Sequence, residues 1–456
     1  MTAPNIVQIN VTQTIAPAPS TLQRTGAFIS QGGTNTASGT LSLLTQLSDL
    51  TPLLAGAKTI TAMTWLSSVV TATATGHGFP IGSVIQLVVS GVTPTAYNGT
   101  FNATIVDANT ITYGVATNPG VVTIQGVVTN IDVSELVAQA TTFFAQGFGA
   151  SVYVLELGAG TYAQGVTTLS TYLTNNVNTI YLFNVPRGWD GEPTFVTLAS
   201  TLEATTAKVY FVVTATLSTY SSFTALFKSV FMLIEAPSIP VTEFTSAGVF
   251  AKMLSYNPSP SNQVGPLAFS YVSGVTAYPA TSVQQSTFKT ANLNYVTTGA
   301  EGGISNTMLV WGHMADGNPF NYWYSIDYTQ INLELNLTNE VINGSNNSLA
   351  PLYYNQAGIN RLQNRAVSVA KQVVANGLAL GTVIAVQQTA SDFINSVNAG
   401  TYNGYFVINA VPFTSYNSLA PSDYKLGKYA GMSCAYTPAR GFEQIIVNLN
   451  ATQFVA

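Results

Sequence analysis

Between residues 131 and 256, short continuous apolar runs alternate with segments whose apolar residues recur every three or four positions. Strands that are apolar throughout are typical of a parallel sheet covered by helices on both faces. The pattern therefore predicts a mostly parallel α/β sheet. Its first helix is expected to begin at a capping box formed by Asp132 and Glu135. We expect strands at residues 151–157, 179–184, 209–214 and 230–235, and helices at 161–175 and 194–205.

Residues 58–130 follow a different pattern. β-Branched runs such as 84–89 and 110–113 are separated by turn sequences such as Asn118-Pro119-Gly120. Short strands at this spacing predict a small β-sandwich or barrel. Because the segments on either side read as parts of one other unit, we expect an inserted decoration domain. The α/β unit would then comprise residues 21–57 and 131–350.

Both ends of the chain carry a β-prone pattern. Residues 1–20 predict an extended arm on a proline-rich tether. Residues 351–456 begin with an amphipathic helix and end in a second arm at 443–456. A lone strand cannot satisfy its own backbone hydrogen bonds, so we expect both arms to pair with sheets of other subunits. The residues expected to make these contacts are Ile6, Val7, Ile9 and Val11 in the first arm and Ile445, Ile446, Val447 and Leu449 in the second.

The composition favours a protein that packs against other molecules. The 456 residues are 47% hydrophobic but only 7% Asp, Glu, Lys and Arg, where about a quarter is usual. Between Lys58 and Asp132 the only ionised side chain is Asp107. A surface with so few charges is poorly protected against association. We therefore expect the chain to be packed among copies of itself.

The same composition argues against two other classes. No run of about 18 to 20 apolar residues occurs, and the start of the chain lacks the pattern of a signal peptide. We therefore expect no stable insertion into a membrane. The net charge is −5 and no basic cluster is present, which argues against direct binding of nucleic acid.

One segment resembles a nucleotide-binding turn. Gly158-Ala159-Gly160-Thr161-Tyr162-Ala163 follows a predicted strand and opens a predicted helix, as a dinucleotide fingerprint does. However, the next strand ends at Asn184 without an acidic residue that could bind a ribose hydroxyl. A tight turn between strand and helix is the favoured interpretation.

The remaining reactive residues do not assemble into a catalytic set. His77 lies in a glycine-rich turn, and His313 lies near Asp316, where a hydrogen-bonded turn is favoured over a catalytic pair. Asp327 and Glu334 are seven residues apart, on one side of a helix, without sign of a cleft. Cys434 is the single cysteine and is interpreted as a small apolar residue. We therefore expect no enzymatic activity, no catalytic residue, no cofactor and no metal site.

The last third of the sequence resembles the tail sheath family of contractile bacteriophages (myoviruses). The likeness rests on Trp311 followed by residues 316–320 and 325–330, on 356–362 and 374–379, and on the terminal strand 442–449. Residues 143–147 and 152–157 resemble an earlier part of the family pattern, whereas residues 58–130 lie outside it. Tyr328 stands where the family often has Trp.

This resemblance implies a structural role in a virion. Such subunits stack as hexameric rings around a tail tube, and their arms add strands to neighbouring sheets by β-augmentation. The implied partners are other copies of the chain, the tail tube protein, and baseplate and tail terminator proteins. The implied location is the phage tail, assembled in the host cytoplasm, where contraction drives the tube through the host envelope for genome ejection. The alternatives are a secreted surface-layer or adhesin-like β protein and, behind it, a nucleotide-binding α/β enzyme.

Overall fold

The computed structural model describes residues 19, 21–205, 207–218, 220–223, 227–301 and 304–442. Within these residues the protein is a mixed α/β structure with several sheets. In chain order the strands are β1 (Gly26–Ser30), β2 (Leu41–Leu44), β3 (Lys58–Thr59), β4 (Ala62–Leu66), β5 (Val69–Thr73), β6 (Val84–Ser90), β7 (Gly99–Ile105), β8 (Thr110–Gly114), β9 (Val127–Asn130), β10 (Val152–Glu156), β11 (Leu182–Asn184), β12 (Tyr210–Ala215), β13 (Val230–Ile234), β14 (Asn294–Glu301), β15 (Ile304–Val310), β16 (Thr382–Val386), β17 (Tyr405–Ala410) and β18 (Met432–Ala435).

Helices cover both the middle and the last part of the chain. In chain order they are α1 (Ile131–Ala145), α2 (Tyr162–Asn175), α3 (Pro193–Glu203), α4 (Thr245–Leu254), α5 (Ser282–Thr290), α6 (Phe320–Asn346), α7 (Gln356–Ala375), α8 (Ala390–Asn398), α9 (Phe413–Leu419) and α10 (Pro421–Lys425).

The largest sheet has eight strands in the order β15-β14-β13-β12-β11-β1-β10-β2. Its six inner strands run parallel, and β2 and β15 pair antiparallel at the two edges. The chain moves from β1 to β10 on one side and then crosses to β11 on the other. The strand order therefore reverses at β1, which is where open α/β sheets place their ligand crevices.

Both faces of this sheet are buried. Alternate residues point to opposite faces of a strand, so in β1 Phe28 joins one core while Ala27 and Ile29 join the other. The first core contains residues of α1, α4, α6 and α7, and the second contains residues of α2, α3 and α5. This arrangement explains the continuous apolar runs that the sequence shows.

The predicted start of α1 was wrong. The helix begins two residues earlier than the predicted capping box requires, because the N-cap is Asn130 and not Asp132; the Asn130 side chain accepts from the backbone N–H of Asp132 at 3.0 Å. Asp132 and Glu135 lie in the first turns of the helix and bond elsewhere, to Gln31 and Arg187. The side of α1 that faces the core includes the buried residues Leu136 and Phe143.

Residues 58–130 form a seven-stranded antiparallel sheet that closes on itself. β3 and β4 lie at opposite ends of the strand order, yet they are halves of one bent segment. Ile60 donates its N–H to Gly126 beside β9, and the next residue, Thr61, donates to Thr73 at the end of β5. One segment thus joins both edges of the sheet, and the strands make a barrel around a core of their own. The division of the chain into domains remains a proposal.

The last part of the chain packs on the eight-stranded sheet through α6 and α7. The apolar stripe predicted for α7 is confirmed, because Ile359, Ala366, Val369 and Val373 are buried. In α6, Tyr324 and Ile331 are buried, whereas Leu335 is 37% exposed. Beyond these helices β16, β17 and β18 form a three-stranded sheet, with β17 in the middle.

Candidate assembly surface

The glycine-rich turn after β10 is explained by local structure. Gly158 has a φ of +86°, which favours glycine. Thr161 caps α2, and its hydroxyl and the Gln164 side chain form a reciprocal capping box. At the end of β11, Asn184 is fully buried and its Oδ1 accepts from the Ser246 hydroxyl at 3.0 Å. The favoured interpretation of this motif as a structural turn is confirmed.

Glu156, the last residue of β10, organises the loop that follows β1. Its carboxylate accepts hydrogen bonds from the N–H groups of Gly32, Thr34 and Gly158, and from the hydroxyls of Ser30 and Thr34, at 2.6–3.1 Å. Bonds from N–H groups to an ionised carboxylate are stronger than neutral ones. Glu156 therefore fixes the crossing point of the sheet and has no spare acceptor for a substrate.

Arg187 joins three further segments at the same edge of the sheet. Its guanidinium makes two bonds to Glu235, at 2.8 and 3.1 Å, and lies over the ring of Phe244 at 3.9 Å. It also donates to the carbonyl of Glu243 and approaches Glu135 at 3.8 Å. The sequence of residues 187–190 by itself predicts no more than a polar loop. The sequence does carry a signal for this cluster, since rare charged residues follow directly after buried strands. The carboxyl ends of parallel strands meet at one edge of the sheet, so residues in these positions are expected to lie close together.

The two histidines lie in well-bonded turns. His77 is buried, and its ring nitrogens contact the carbonyl of Asp107 at 2.8 Å and the N–H of Phe79 at 3.0 Å. The carboxylate of Asp316 accepts from the side chains of Asn318 and Trp323, each at 2.9 Å. These contacts agree with the turn interpretation of both sites.

Asp327 ties α6 to the amino-terminal edge of the large sheet. Its Oδ2 accepts from the hydroxyls of Tyr181 and Tyr210, at 3.0 and 2.7 Å. Burial raises the pKa of Asp327, and nearby Lys208 opposes that rise. Burial also raises the pKa of Glu334, again against Lys208. The two carboxylates share a side of the helix as predicted, but Asp327 is enclosed as a packing contact.

The three-stranded sheet has two edges without a partner strand among the described residues. β16 pairs only with β17, in parallel, and β18 pairs only with β17, in antiparallel. Helix α7 covers one face, where Gln363 donates to the carbonyls of Val386 and Ile408 at 2.7 and 2.9 Å. Cys434, which was interpreted as a small apolar residue, is exposed on the edge strand β18. Open edges of this kind are templates for strands of other chains.

Exposed apolar side chains are frequent near this sheet. In α8 the apolar face is only partly covered, since Phe393 is buried while Ile394 and Val397 are exposed. Large apolar groups that remain exposed mark interaction sites when they cluster. Further exposed examples in this part of the chain are Leu349, Tyr353, Leu380, Leu419, Tyr424, Leu426 and Phe442.

Both predicted strand-exchange segments lie outside the described residues. These are Ile6, Val7, Ile9 and Val11 at one end, and Ile445, Ile446, Val447 and Leu449 at the other. Their pairing with other subunits therefore stays a prediction. Among the described residues, no helix is long and apolar enough to span a bilayer, and no three His, Cys, Asp or Glu side chains are grouped to hold a metal ion.

Comparison with known proteins gives a similarity of fold. No family model matches the sequence, and no curated protein does. Among solved structures, a chain of the cryo-EM structure of the anti-feeding prophage (AFP) baseplate, 6-fold symmetrised, is 13% identical, with a TM-score of 0.54 over 99% of this chain and 100% of that chain. A sheath tail protein from Listeria innocua is 9% identical, with a TM-score of 0.41 over 78% of this chain and 85% of that chain. The first likeness shows a fold shared along nearly the whole chain.

Proposed function

We propose that this chain is a structural subunit of the contractile tail sheath of a bacteriophage, polymerising as stacked rings around a tail tube. The observation that carries the proposal is the fold shared with a chain of the anti-feeding prophage baseplate. It agrees with the sequence resemblance to tail sheath proteins, which rests on separate motifs. A non-enzymatic tail component accounts for both.

The three-stranded sheet would supply the contacts that polymerisation requires. Its two open edges, β16 and β18, would accept the arms of neighbouring copies as added strands. Backbone hydrogen bonds would supply the link, and alternating side chains such as Val7 and Ile9 would set the register. Because donor and acceptor are different surfaces of one chain, the contact is head-to-tail and generates rings or helical filaments.

The low charge of the chain supports the same assembly. Only 31 of 456 residues are charged at neutral pH, of which 13 are Lys or Arg and 18 are Asp or Glu. Several of them, including Glu156, Arg187 and Glu235, are used inside the subunit. Few charges then remain to keep subunits apart in solution.

Contraction would draw on energy stored in the assembly. The extended sheath would be a kinetically trapped state that a trigger at the baseplate releases into a shorter, wider helix. The arms would stay paired and act as hinges between rings. The partners would be the tube, baseplate and terminator proteins, with assembly in the host cytoplasm. A mostly β surface-layer protein is disfavoured by the parallel, helix-covered sheet.

Deletion of residues 1–15 tests this wiring. We expect a folded subunit with unchanged far-UV circular dichroism that forms no tubes or rings in negative-stain electron microscopy. A matched pair of full-length variants tests whether the apolar side chains of the first arm are required when the length of the arm is unchanged. Val7→Lys with Ile9→Lys and Val11→Lys should abolish tubes, while Val7→Ile with Ile9→Val and Val11→Ile should keep them. Tubes formed by the deletion variant would show that the first arm does not link subunits.

A further inference from the structure

A cleft of about 190 Å³ lies where the barrel meets the large sheet. Its walls come from β6 and β7 of the barrel, the start of α1, the first turn of α2 and the loop before α3. Gln86 and Asn102 contribute amide groups, and Asp132 and Glu192 contribute carboxylates. The cleft thus lies beside the carboxyl ends of parallel strands, near the point where the strand order reverses.

Asp132 is buried in the wall of this cleft, with 3% of its surface exposed. Its Oδ2 accepts from the N–H of Gln31 at 2.7 Å, and Oδ1 has no hydrogen-bonding partner in the part of the chain that the structure describes. Glu192 uses Oε1 to accept from the hydroxyl of Thr194 at 2.9 Å, and its Oε2 likewise has no partner among described residues. Neither of these two oxygens is closed off from solvent. The cleft therefore offers acceptors to a ligand.

The ionisable groups around Asp132 are mostly acidic. Burial raises the pKa of Asp132 well above its usual value, and the negative charges of Glu135 on α1 and Glu156 on β10 add to that rise. Arg187 offsets part of this charge, because its backbone N–H donates to Glu135 at 3.2 Å and its guanidinium, which bonds Glu235, lies 3.8 Å from Glu135. Tyr162 of α2 lines the cleft as a neutral phenol, since burial raises its pKa too. The first turn of α2 adds about half a positive charge.

We propose that this cleft binds a small organic cation, a primary ammonium or guanidinium group, held by the free oxygens of Asp132 and Glu192. The amide oxygens of Gln86 and Asn102 would accept its remaining N–H groups. The ring of Tyr162 offers a cation–π contact. The described residues contain no group of three metal-ligating side chains, so a hydrogen-bonding cation fits the cleft better than a metal ion. This site does not depend on the proposed role in a tail.

Thermal unfolding of the full-length chain tests the proposal. Ethylammonium chloride should raise the Tm by roughly 2–4 °C at saturation relative to sodium chloride at the same ionic strength. The shift should grow as the pH rises, because the cation binds the ionised form of Asp132. Asp132→Asn keeps the shape of the side chain and should abolish the shift. Equal shifts with both salts, or a full shift in Asp132→Asn, would overturn the proposal.

A second set of variants avoids the buried position. Gln86→Ala with Asn102→Ala removes only side chains that make no described hydrogen bond, and we expect at least half of the ethylammonium shift to be lost. Gln125→Ala, an exposed amide of the barrel outside the cleft, is the matched control and should respond like the parent chain. An undiminished shift in the double variant would place the cation elsewhere.

The source of the cation is distinguished by comparing dispersed and assembled protein. If a soluble amine is the ligand, ethylammonium should shift the Tm of both. If a Lys or Arg side chain of a neighbouring copy fills the cleft, only dispersed subunits should respond. Either result keeps the site, and the absence of a response in both would contradict it. Loss of tubes after arm deletion is a separate readout, so the two proposals can fail independently.

Discussion

The carboxylate of Asp327 in α6 accepts a hydrogen bond of 2.7 Å from the hydroxyl of Tyr210 at the start of β12. The two residues are 117 positions apart in the sequence, and both are buried. Tyr181 donates to the same oxygen from the neighbouring strand. One carboxylate thus connects the long helix of the last third of the chain to two strands of the central sheet.

Tyr210→Phe should weaken this connection. The substitution keeps the ring but removes one of two donors to a buried carboxylate, which costs about 1–3 kcal/mol. We expect a lower midpoint of urea unfolding, measured by tryptophan fluorescence. Tyr353→Phe is the matched control, because Tyr353 is 66% exposed and its replacement should change stability by less than about 0.5 kcal/mol. Equal midpoints for the two variants would contradict a stabilising role of the Asp327 contact.

Glu156→Gln should destabilise the loop after β1. An amide in place of the carboxylate turns one acceptor into a donor that faces the N–H groups of Gly32 and Gly158 or of Thr34. Leaving such groups unpaired costs about 1–3 kcal/mol. Differential scanning calorimetry should show a lower Tm for Glu156→Gln. A Tm equal to that of the parent chain would mean that the loop rearranges freely.

Asp132→Asn should have the opposite effect at neutral pH. Because the pKa of Asp132 in the folded chain lies well above 3.8, the folded state holds its proton more tightly than the unfolded state. Stability from this group is therefore full at low pH and is lost as the pH rises above about 4. Asp132→Asn lacks this pH-dependent loss of stability. Its free energy of unfolding should therefore exceed that of the parent chain by an amount that grows between about pH 4 and pH 7. Urea midpoints across that range measure it, and a difference that does not change with pH would count against the assignment.

Charges on the two open edges should block polymerisation without unfolding the subunit. Lysine on an edge strand discourages pairing with another strand. Ala385 on β16 and Cys434 on β18 are both exposed, so Ala385→Lys and Cys434→Lys should fold normally. We expect tubes to disappear in electron micrographs of each variant, while the uncharged controls Ala385→Thr and Cys434→Thr still form them. Normal tubes from both lysine variants would rule out these edges as acceptors.

The sequence pattern alone predicted the features that depend on residues close together in the chain. The buried stripe of α7, the helix-covered parallel sheet and the glycine turn at Gly158 each follow from local periodicity or backbone preference. Local signals were misleading at Asp132, which looks like a helix cap but points into the fold. Asn130 takes that role because it ends β9 and begins α1 without any intervening residue.

The sequence by itself determined the class of structure, the scarcity of charge and the two β-prone ends, because each depends on composition or on residues near one another in the chain. Only the tertiary structure decided which rare charges meet. Glu156 reaches the loop after β1 across more than 120 positions, and Arg187 finds Glu235 because parallel strands end at one edge of the sheet. Likewise, β3 and β4 close the barrel through a change of partner between Ile60 and Thr61. Such contacts depend on strand order, which local periodicity does not encode.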